Sequence, residues 1–138
     1  MTNDEREEFL EQLHVGVLGI EREDGPPLVV PIWYAYERGG NVKIITHNAS
    51  LKARLIEAAG RFSLCAQTER LPYKYVTVEG PVVESRPCDV EGDSRPMARR
   101  YLGRSQGDAY IEDGDDTNSV VFAMRPERWF SVDYGKAD

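Results

Sequence analysis

The feature that most limits the fold is a series of short apolar runs separated by turn residues. The first three runs lie at 15–20, 28–36 and 42–46, with a Gly-Pro-Pro turn after the first and Arg38-Gly39-Gly40 after the second. Turn signals at such short intervals are typical of antiparallel strands. The same pattern predicts further strands at 61–67, 75–84, 119–126 and 128–134. The chain is therefore predicted to be mostly β.

The sequence predicts fewer helices than strands. Residues 3–13 predict a helix, because a Thr-Asn pair can cap it and acidic residues fill its first turn. Residues 50–60 predict a second helix, with Ser50 as N-cap and Gly60 just past its end. Residues 93–112 predict two short helices, because proline and glycine interrupt the segment.

The strands at 15–20 and 28–36 are apolar on both faces. A single open sheet cannot hide two such faces, whereas a small barrel covered by helices or by a partner subunit can. We therefore expect a β-barrel with short helices. For the same reason we expect an obligate dimer.

Composition narrows the function classes. A length of 138 residues suits a single domain, 1–138, and a net charge of −7 argues against nucleic-acid binding. No apolar run is long enough to span a bilayer, and the acidic N-terminus is unlike a signal peptide, so we expect a cytoplasmic protein with no membrane partner. The two cysteines (Cys65, Cys88) and two histidines (His14, His47) show no metal-ligand spacing.

One segment of this acidic chain is basic: residues 38–74 contain seven Lys and Arg residues but only two acids. Within it, the first turn after Ser50 holds Lys52 and Arg54, where the helix dipole favours acids. Free N–H groups, a hydroxyl and two cations predict a phosphate-binding helix N-terminus. A solvated basic face without a ligand is the alternative, and these residues alone do not decide between them.

A second candidate site is the strand that contains Pro31. Proline cannot donate to a sheet ladder, so it belongs at an edge, at a bulge or where a ligand approaches. Val30, Ile32 and Trp33 beside it offer a flat apolar wall for a planar ring, and an edge strand protected against aggregation is the alternative. The sequence contains no recognisable triad, paired carboxylates or Rossmann glycines, so an enzyme of this type would rely on a bound cofactor.

The order of segments resembles a known family. The series VGVLGIEREDG, PPLVVPIWYAYERGGNVKIIT, NASLKAR and RFSLCAQTERLPYKYVTVEGPVV is similar to the pyridoxamine 5'-phosphate oxidase-like split β-barrel superfamily of flavin- and deazaflavin-dependent oxidoreductases, over roughly residues 9–134. It most resembles the branch that uses coenzyme F420. The resemblance implies a six-stranded antiparallel split β-barrel that forms a homodimer, with the cofactor in a groove between the subunits.

The resemblance also implies a set of cofactor-binding residues. Those that would face the tricyclic ring through backbone contacts are Val30, Pro31, Ile32 and Trp33. Those that would run beside the ring or border it are Ile45, Thr46, Gln67 and Tyr73, and Trp129 would approach it from the other subunit. Those that would hold the phosphate are Ser50, Lys52 and Arg54.

Two departures from the family pattern qualify this reading. The phosphate helix continues as LIEAAGRF, without the family's Asn and basic Asp-Pro turn. The C-terminal segment RPERWFSVDYGKAD lacks the histidine of the phosphate oxidases, so pyridoxamine-phosphate oxidation is not expected. The function implied is hydride transfer from reduced F420 to a small organic acceptor. An FMN-dependent oxidoreductase and a non-catalytic binder of a flavin or another planar anion are the alternatives.

Overall fold

The structure is a computed structural model that describes residues 1–115 and 117–136. The elements follow in the order α1 (Asn3–Glu11), β1 (Gly16–Ile20), β2 (Leu28–Ile32), β3 (Val42–His47), α2 (Leu51–Ala59), β4 (Arg61–Gln67), β5 (Lys74–Pro87), a π-helical turn (Val90–Ser94), α3 (Arg95–Leu102), α4 (Arg104–Asp113), β6 (Ser119–Met124) and β7 (Arg128–Asp133). None of the helices in the described residues is long and apolar enough to cross a membrane.

Local signals set the helix ends. Thr2 and Glu5 form a capping box at the start of α1, in which each backbone N–H donates to the other's side chain over 2.9 and 3.2 Å. Ser50 caps α2, and Gly60 ends it with a φ of 69°, a left-handed conformation that suits glycine. Gly103 separates α3 from α4. The predictions of helices at 3–13 and 50–60, and of two short helices within 93–112, are confirmed.

The strands pair antiparallel in the order β2-β1-β4-β5-β6-β3, and β7 pairs with β5. The fourteen-residue β5 serves both halves of this sheet, because its first half pairs with β4 and β7 and its second half with β6. A register shift between Val82 and Glu84 bends the strand at this change of partner. The result is a curled, mostly β antiparallel split barrel, as the resemblance implies, but the described residues form seven strands rather than six because β7 adds to β5.

The predicted strand at 28–36 is longer than the observed one, which ends at Ile32. Tyr34 leaves the ladder because its N–H donates to the Tyr101 hydroxyl over 3.0 Å and its own hydroxyl donates to the Leu10 carbonyl over 2.6 Å. The chain rejoins the sheet only through an isolated bridge between Ala35 and Lys43. Tertiary contacts therefore end β2.

Strand register separates an inner from an outer face. The inner row Val30, Leu18, Leu64, Val78 and Trp129 crosses the strands in the order β2-β1-β4-β5-β7 and contributes to the core. The row next to it contains Pro31, Val17, Cys65, Thr77 and Phe130, whose side chains point to the outer face. On this outer face Pro31 and Phe130 are exposed, whereas α2 packs into the core through Ala53 and Ile56.

The hairpin of α3 and α4 lies over the outer face of β3. Asp108 on α4 accepts hydrogen bonds from Arg95 and Arg99 on α3 at 2.7–3.0 Å, and these guanidinium groups lower the pKa of Asp108 to about 2. Arg100 donates to the carbonyl groups of Glu11 and Gln12 at the end of α1. A cation at a helix C-terminus is favourable, so this contact fixes α3 to α1.

Candidate functional site

The N-terminus of α2 is joined to the end of β3 by two hydroxyl groups. Ser50 Oγ accepts the Ala53 N–H over 3.1 Å, and it shares a 3.0 Å hydrogen bond with Thr46 Oγ1. The Thr46 side chain is buried, so this bond fixes the first turn of α2 against the barrel. The turn that connects them is closed by the Ser50 N–H, which donates to the His47 carbonyl.

The first turn of α2 is electropositive. It contains no acidic residue, and Lys52 and Arg54 take part in no ion pair within residues 1–115 and 117–136. Arg61, just beyond the helix, pairs with Glu21 instead. Two cations without acidic partners beside the free N–H groups of a capped helix fit a phosphate group.

A cleft of about 270 Å³ is lined by Thr46 and His47 at the end of β3, and no residue of α2 lines it. It lies between the outer face of β3 and the α3–α4 hairpin, and the predicted ring-binding residues Trp33, Ile45 and Thr46 line it. The hairpin adds a roof that includes Met97 and Tyr110. The structure therefore brings together three of the predicted ring residues, and the Thr46–Ser50 bond links their cleft to the predicted phosphate site.

Aromatic contacts of the cleft were not predicted from the sequence. The Trp33 indole stacks on Tyr101, and Tyr110 packs against it at 51° with a centroid distance of 5.6 Å. Tyr110 is 56% exposed at the rim. Tyr101 lies on α3 and Tyr110 on α4, nine residues apart and on opposite sides of Gly103. This spacing does not predict that both side chains contact Trp33.

The β2 residues of the predicted site lie on a free sheet edge. β2 is the terminal strand of the order, and no described strand pairs with its second edge. Pro31 is exposed on the outer face, whereas Val30 and Ile32 point inward and Ile32 belongs to the core. Contacts to a ring through the backbone of this edge stay a prediction.

Gln67 and Tyr73 lie apart from the cleft. Gln67 lines an open groove of about 780 Å³ between the end of α1 and the β4–β5 connection, and Tyr73 is 51% exposed beside this connection. His14 also lines the groove, where it stacks on Phe9 and its Nε2 donates to the Phe9 carbonyl over 3.0 Å. Burial lowers the pKa of His14.

Trp129 packs against its own chain. Its side chain points to the inner face in register with Val78, and it is half-buried against the core. The Arg6 guanidinium lies 4.7 Å above its ring, and Tyr36 meets it edge-on at 6.1 Å. The predicted approach of Trp129 to a cofactor on the other subunit stays a prediction. Among the described residues, no group of three His, Cys, Asp or Glu side chains has a geometry for a metal ion.

A comparison with known protein families identifies the family of this chain. The family model of pyridoxamine 5'-phosphate oxidase matches residues 2–133. The chain belongs to this family. Its fold is the one that flavin-binding and F420-associated oxidoreductases share. No curated protein sequence matches the chain.

Solved structures show the same fold over nearly the whole chain. An F420 reductase is similar with a TM-score of 0.76 and 25% identity, covering 90% of this chain and 94% of its own. A FAD-binding protein from Mesorhizobium loti has a TM-score of 0.67 and 25% identity, covering 95% and 93%. A conserved hypothetical protein from Mycobacterium tuberculosis has a TM-score of 0.75 at 20% identity, covering 97% and 86%, which shows the fold alone.

Proposed function

We propose that this protein is an F420-dependent reductase, which transfers a hydride from the reduced deazaflavin to a small organic acceptor. The observation that carries the proposal is the N-terminus of α2. Lys52 and Arg54 stand there without acidic partners in the described chain, at a capped helix end that the Thr46–Ser50 hydrogen bond links to a ring-sized cleft. The 25% identity to an F420 reductase supports the choice of cofactor.

The chain's own residues bind and orient the cofactor. Ser50, Lys52 and Arg54 hold its phosphate through the helix N-terminus and two charge-assisted contacts. Trp33, Ile45 and Thr46 form one side of the ring site, and the free edge of β2 at Val30, Pro31 and Ile32 contacts the ring through backbone atoms. The bound deazaflavin supplies the hydride chemistry, so no side-chain acid or base is required.

The proposal includes a homodimer, with a small-molecule acceptor as the further partner. The row of the outer face that contains Val17 and Pro31 is largely apolar, and on this face Val29 is 64% and Phe130 49% exposed. Apolar side chains grouped on one uncovered sheet face are typical of an interface between subunits. A partner placed on this face brings a second chain beside the β2 edge. We therefore place Gln67 and Tyr73 at the interface groove, where they complete the ring site across the two subunits.

FMN is the second candidate cofactor. The FAD-binding protein of Mesorhizobium loti is as similar in sequence, at 25%, as the F420 reductase. FMN also presents a phosphate and a tricyclic ring, so the same α2 site and cleft suit it. The two cofactors differ in the ring atom that carries the hydride. Their absorption spectra differ as well, so a spectrum shows which of the two is bound.

The test is a titration of the apo protein with F420 and with FMN, followed by turnover of the bound reduced cofactor with 2-cyclohexen-1-one and with menadione. F420 binding that is tighter than FMN binding, together with acceptor-dependent oxidation, supports the proposal. Tighter FMN binding with turnover identifies the second candidate. Binding without oxidation by any acceptor identifies a carrier, and binding of neither cofactor contradicts the family assignment of the site.

A further inference from the structure

The α3–α4 hairpin (residues 95–113) is an insertion between two strands that pair with each other. β5 ends and β6 begins at neighbouring points of the sheet, where Pro87 pairs with Val120. Just beyond this pair, the Cys88 N–H donates to the Ser119 carbonyl over 2.9 Å. Since the two ends of the insertion meet, the hairpin can rotate about them without disturbing the sheet, as a hinged element does.

The near end of the hairpin is fixed to β5. Arg86 on β5 donates to both carboxylate oxygens of Asp93 over 2.6 and 2.8 Å. Asp93 lies in the π-helical turn (Val90–Ser94), which leads directly into α3. An opening motion therefore leaves this end in place and lifts the far end, near Gly103.

The hairpin is braced internally and adds nothing to the barrel core. Asp108 on α4 accepts hydrogen bonds from Arg95 and Arg99 on α3. The backbone of α4 at Gly107 lies against that of α3, with no room for a side chain between them. Among the described residues, the hydrophobic core of the barrel includes no residue of α3 or α4. The two helices are therefore expected to move as one rigid body.

The interface between the hairpin and β3 contains two cavities. Besides the cleft of about 270 Å³, a second cavity of about 240 Å³ lies between β3 and α3. Ile45 on β3 and Met97 on α3 line both cavities, so these two side chains mark the boundary between them. Buried apolar contact resists local opening, and here cavities replace part of that contact. The hairpin can therefore separate from β3 with little loss of apolar packing.

Polar contacts at the far end of α3 hold the hairpin closed. Arg100 donates to the carbonyl groups of Glu11 and Gln12, at the end of α1, over 3.1 and 2.8 Å. Beside it, the Tyr101 hydroxyl accepts the Tyr34 N–H over 3.0 Å. Carbonyl groups at a helix C-terminus carry partial negative charge, so the guanidinium bonds are the charge-assisted part of this attachment.

We infer that the α3–α4 hairpin is a lid on the cleft, which opens by lifting its far end from β3, and that Arg100 is the latch that holds it closed on α1. The inference concerns the folded chain alone, and it depends neither on the proposed function nor on the identity of the ligand. A closed lid shields the floor of the cleft at Ile45 from water, and an open lid admits solvent and ligand. The described helix α1 thus controls access to a cleft that none of its residues lines.

The first test follows hydrogen exchange of the Tyr34 amide in the apo protein. This amide donates to a hydroxyl on the lid, so it exchanges when the lid opens. In wild type it is expected to exchange faster than the core amides of β4 and β5, and with little dependence on urea, because opening exposes little surface. Arg100→Ala is expected to speed its exchange roughly 10- to 100-fold, the effect of losing a charge-assisted hydrogen bond. Arg104→Ala removes an exposed arginine of the same lid and is the matched control, with wild-type exchange expected.

The second test labels a thiol placed under the lid. Ala98 on α3 is 1% exposed and lines the cleft, whereas Ala66 on β4 is fully buried in the barrel core. Ala98→Cys and Ala66→Cys therefore form a matched pair, of which the first is expected to react faster with a maleimide, as peptide mass spectrometry measures. Addition of Arg100→Ala is expected to accelerate the labelling of Ala98→Cys by the same roughly 10- to 100-fold factor as the Tyr34 exchange.

Several results would overturn the inference. Tyr34 exchange with the rate and urea dependence of the β4 and β5 amides, or equal labelling of the two cysteine variants, would show that the lid opens only with the whole fold. Rapid Tyr34 exchange with slow labelling of Ala98→Cys would place the motion in the segment after β2 instead. Wild-type rates in Arg100→Ala, or equal effects of Arg100→Ala and Arg104→Ala, would contradict the latch. None of these measurements involves a cofactor, so a failure here leaves the proposed function untouched.

Discussion

The indole ring of Trp33 lies parallel to the phenol ring of Tyr101, with their centroids 4.9 Å apart and their planes at 4°. Beyond this stack, the Tyr101 hydroxyl is 2.6 Å from the His14 carbonyl and accepts the Tyr34 N–H over 3.0 Å. One side chain of α3 therefore holds the segment between β2 and β3, and the wall of the cleft depends on it.

Removal of this hydroxyl tests its structural role. Tyr101→Phe keeps the stack with Trp33 but leaves the Tyr34 N–H without its partner, which is expected to lower the free energy of unfolding by about 1–3 kcal/mol. Urea denaturation measures the loss. Tyr110→Phe is the control, since the described residues give its hydroxyl no partner. A change below about 0.5 kcal/mol in Tyr101→Phe would contradict the role given to the hydroxyl.

The close packing of α3 against α4 depends on Gly107. A Cβ at this position would lie 2.7–2.9 Å from backbone atoms of Arg99 and Ala98, which cannot move without separating the helices. Gly107→Ala is expected to destabilise the protein by roughly 1–3 kcal/mol, as overpacking does. Thermal denaturation measures this. Gly25→Ala, whose nearest neighbour is the flexible Arg22 side chain at 3.4 Å, is expected to be nearly neutral.

Local sequence signals were sufficient for α2 and for most strands. Ser50 and Gly60 mark the two ends of this helix, and the capping bond and the positive φ follow directly from those residue types. The proposed phosphate site rests on the same kind of signal, because the charge pattern and the helix start lie within five residues. The helix start and the charge pattern of α2 can therefore be predicted from residues that are neighbours in the sequence.

The cleft itself was beyond such reasoning. Tyr101 lies 67 residues from Tyr34, and nothing local shows that α3 packs on the segment after β2. Trp129 illustrates a second limit: strand periodicity places alternate residues on opposite faces, yet it does not say which face is the core. The inward position of Trp129 follows from its register with Val78, which only the assembled sheet defines.

The proposed dimer predicts the effect of a charge on the outer face. Phe130 is 49% exposed and stands beside Thr77 in the outer row, so Phe130→Glu leaves the core intact but places a carboxylate in the interface. Sedimentation equilibrium at micromolar concentration is expected to give a dimer for wild type and a monomer for the variant. Val83→Glu, at a 45% exposed site on the second half of β5, should remain a dimer. A folded wild-type monomer would count against the dimer.

His14 predicts a pH dependence of stability. Burial lowers its pKa in the folded protein, whereas the unfolded chain has the ordinary value of about 6.5. The unfolded state therefore binds more protons, so this contribution is complete above about pH 6.5 and is lost as the pH falls toward the folded pKa. Urea denaturation at pH 7.5 and 5.5 is expected to show a smaller pH-dependent loss in His14→Gln than in wild type. An equal loss in both proteins contradicts the assignment.

Lys52 and Arg54 are expected to bind the cofactor phosphate without supporting the fold. Both lie in the first turn of α2, where the helix dipole disfavours cations, so Lys52→Ala and Arg54→Ala should leave the apo protein as stable as wild type or slightly more so. A charge-assisted hydrogen bond contributes about 1.5–3 kcal/mol, so each variant should weaken F420 or FMN binding roughly 10- to 100-fold.

Salt and a matched control distinguish this contact from a general charge effect. Binding by wild type should weaken as ionic strength rises, because the contact is partly exposed, and this dependence should be smaller in each variant. Arg125→Ala removes an equally charged side chain that is paired with Glu127 and lies away from α2, and it should keep wild-type affinity. If neither Lys52→Ala nor Arg54→Ala weakens binding, or if both lose apo stability with affinity intact, the cations belong to the fold and the phosphate lies elsewhere.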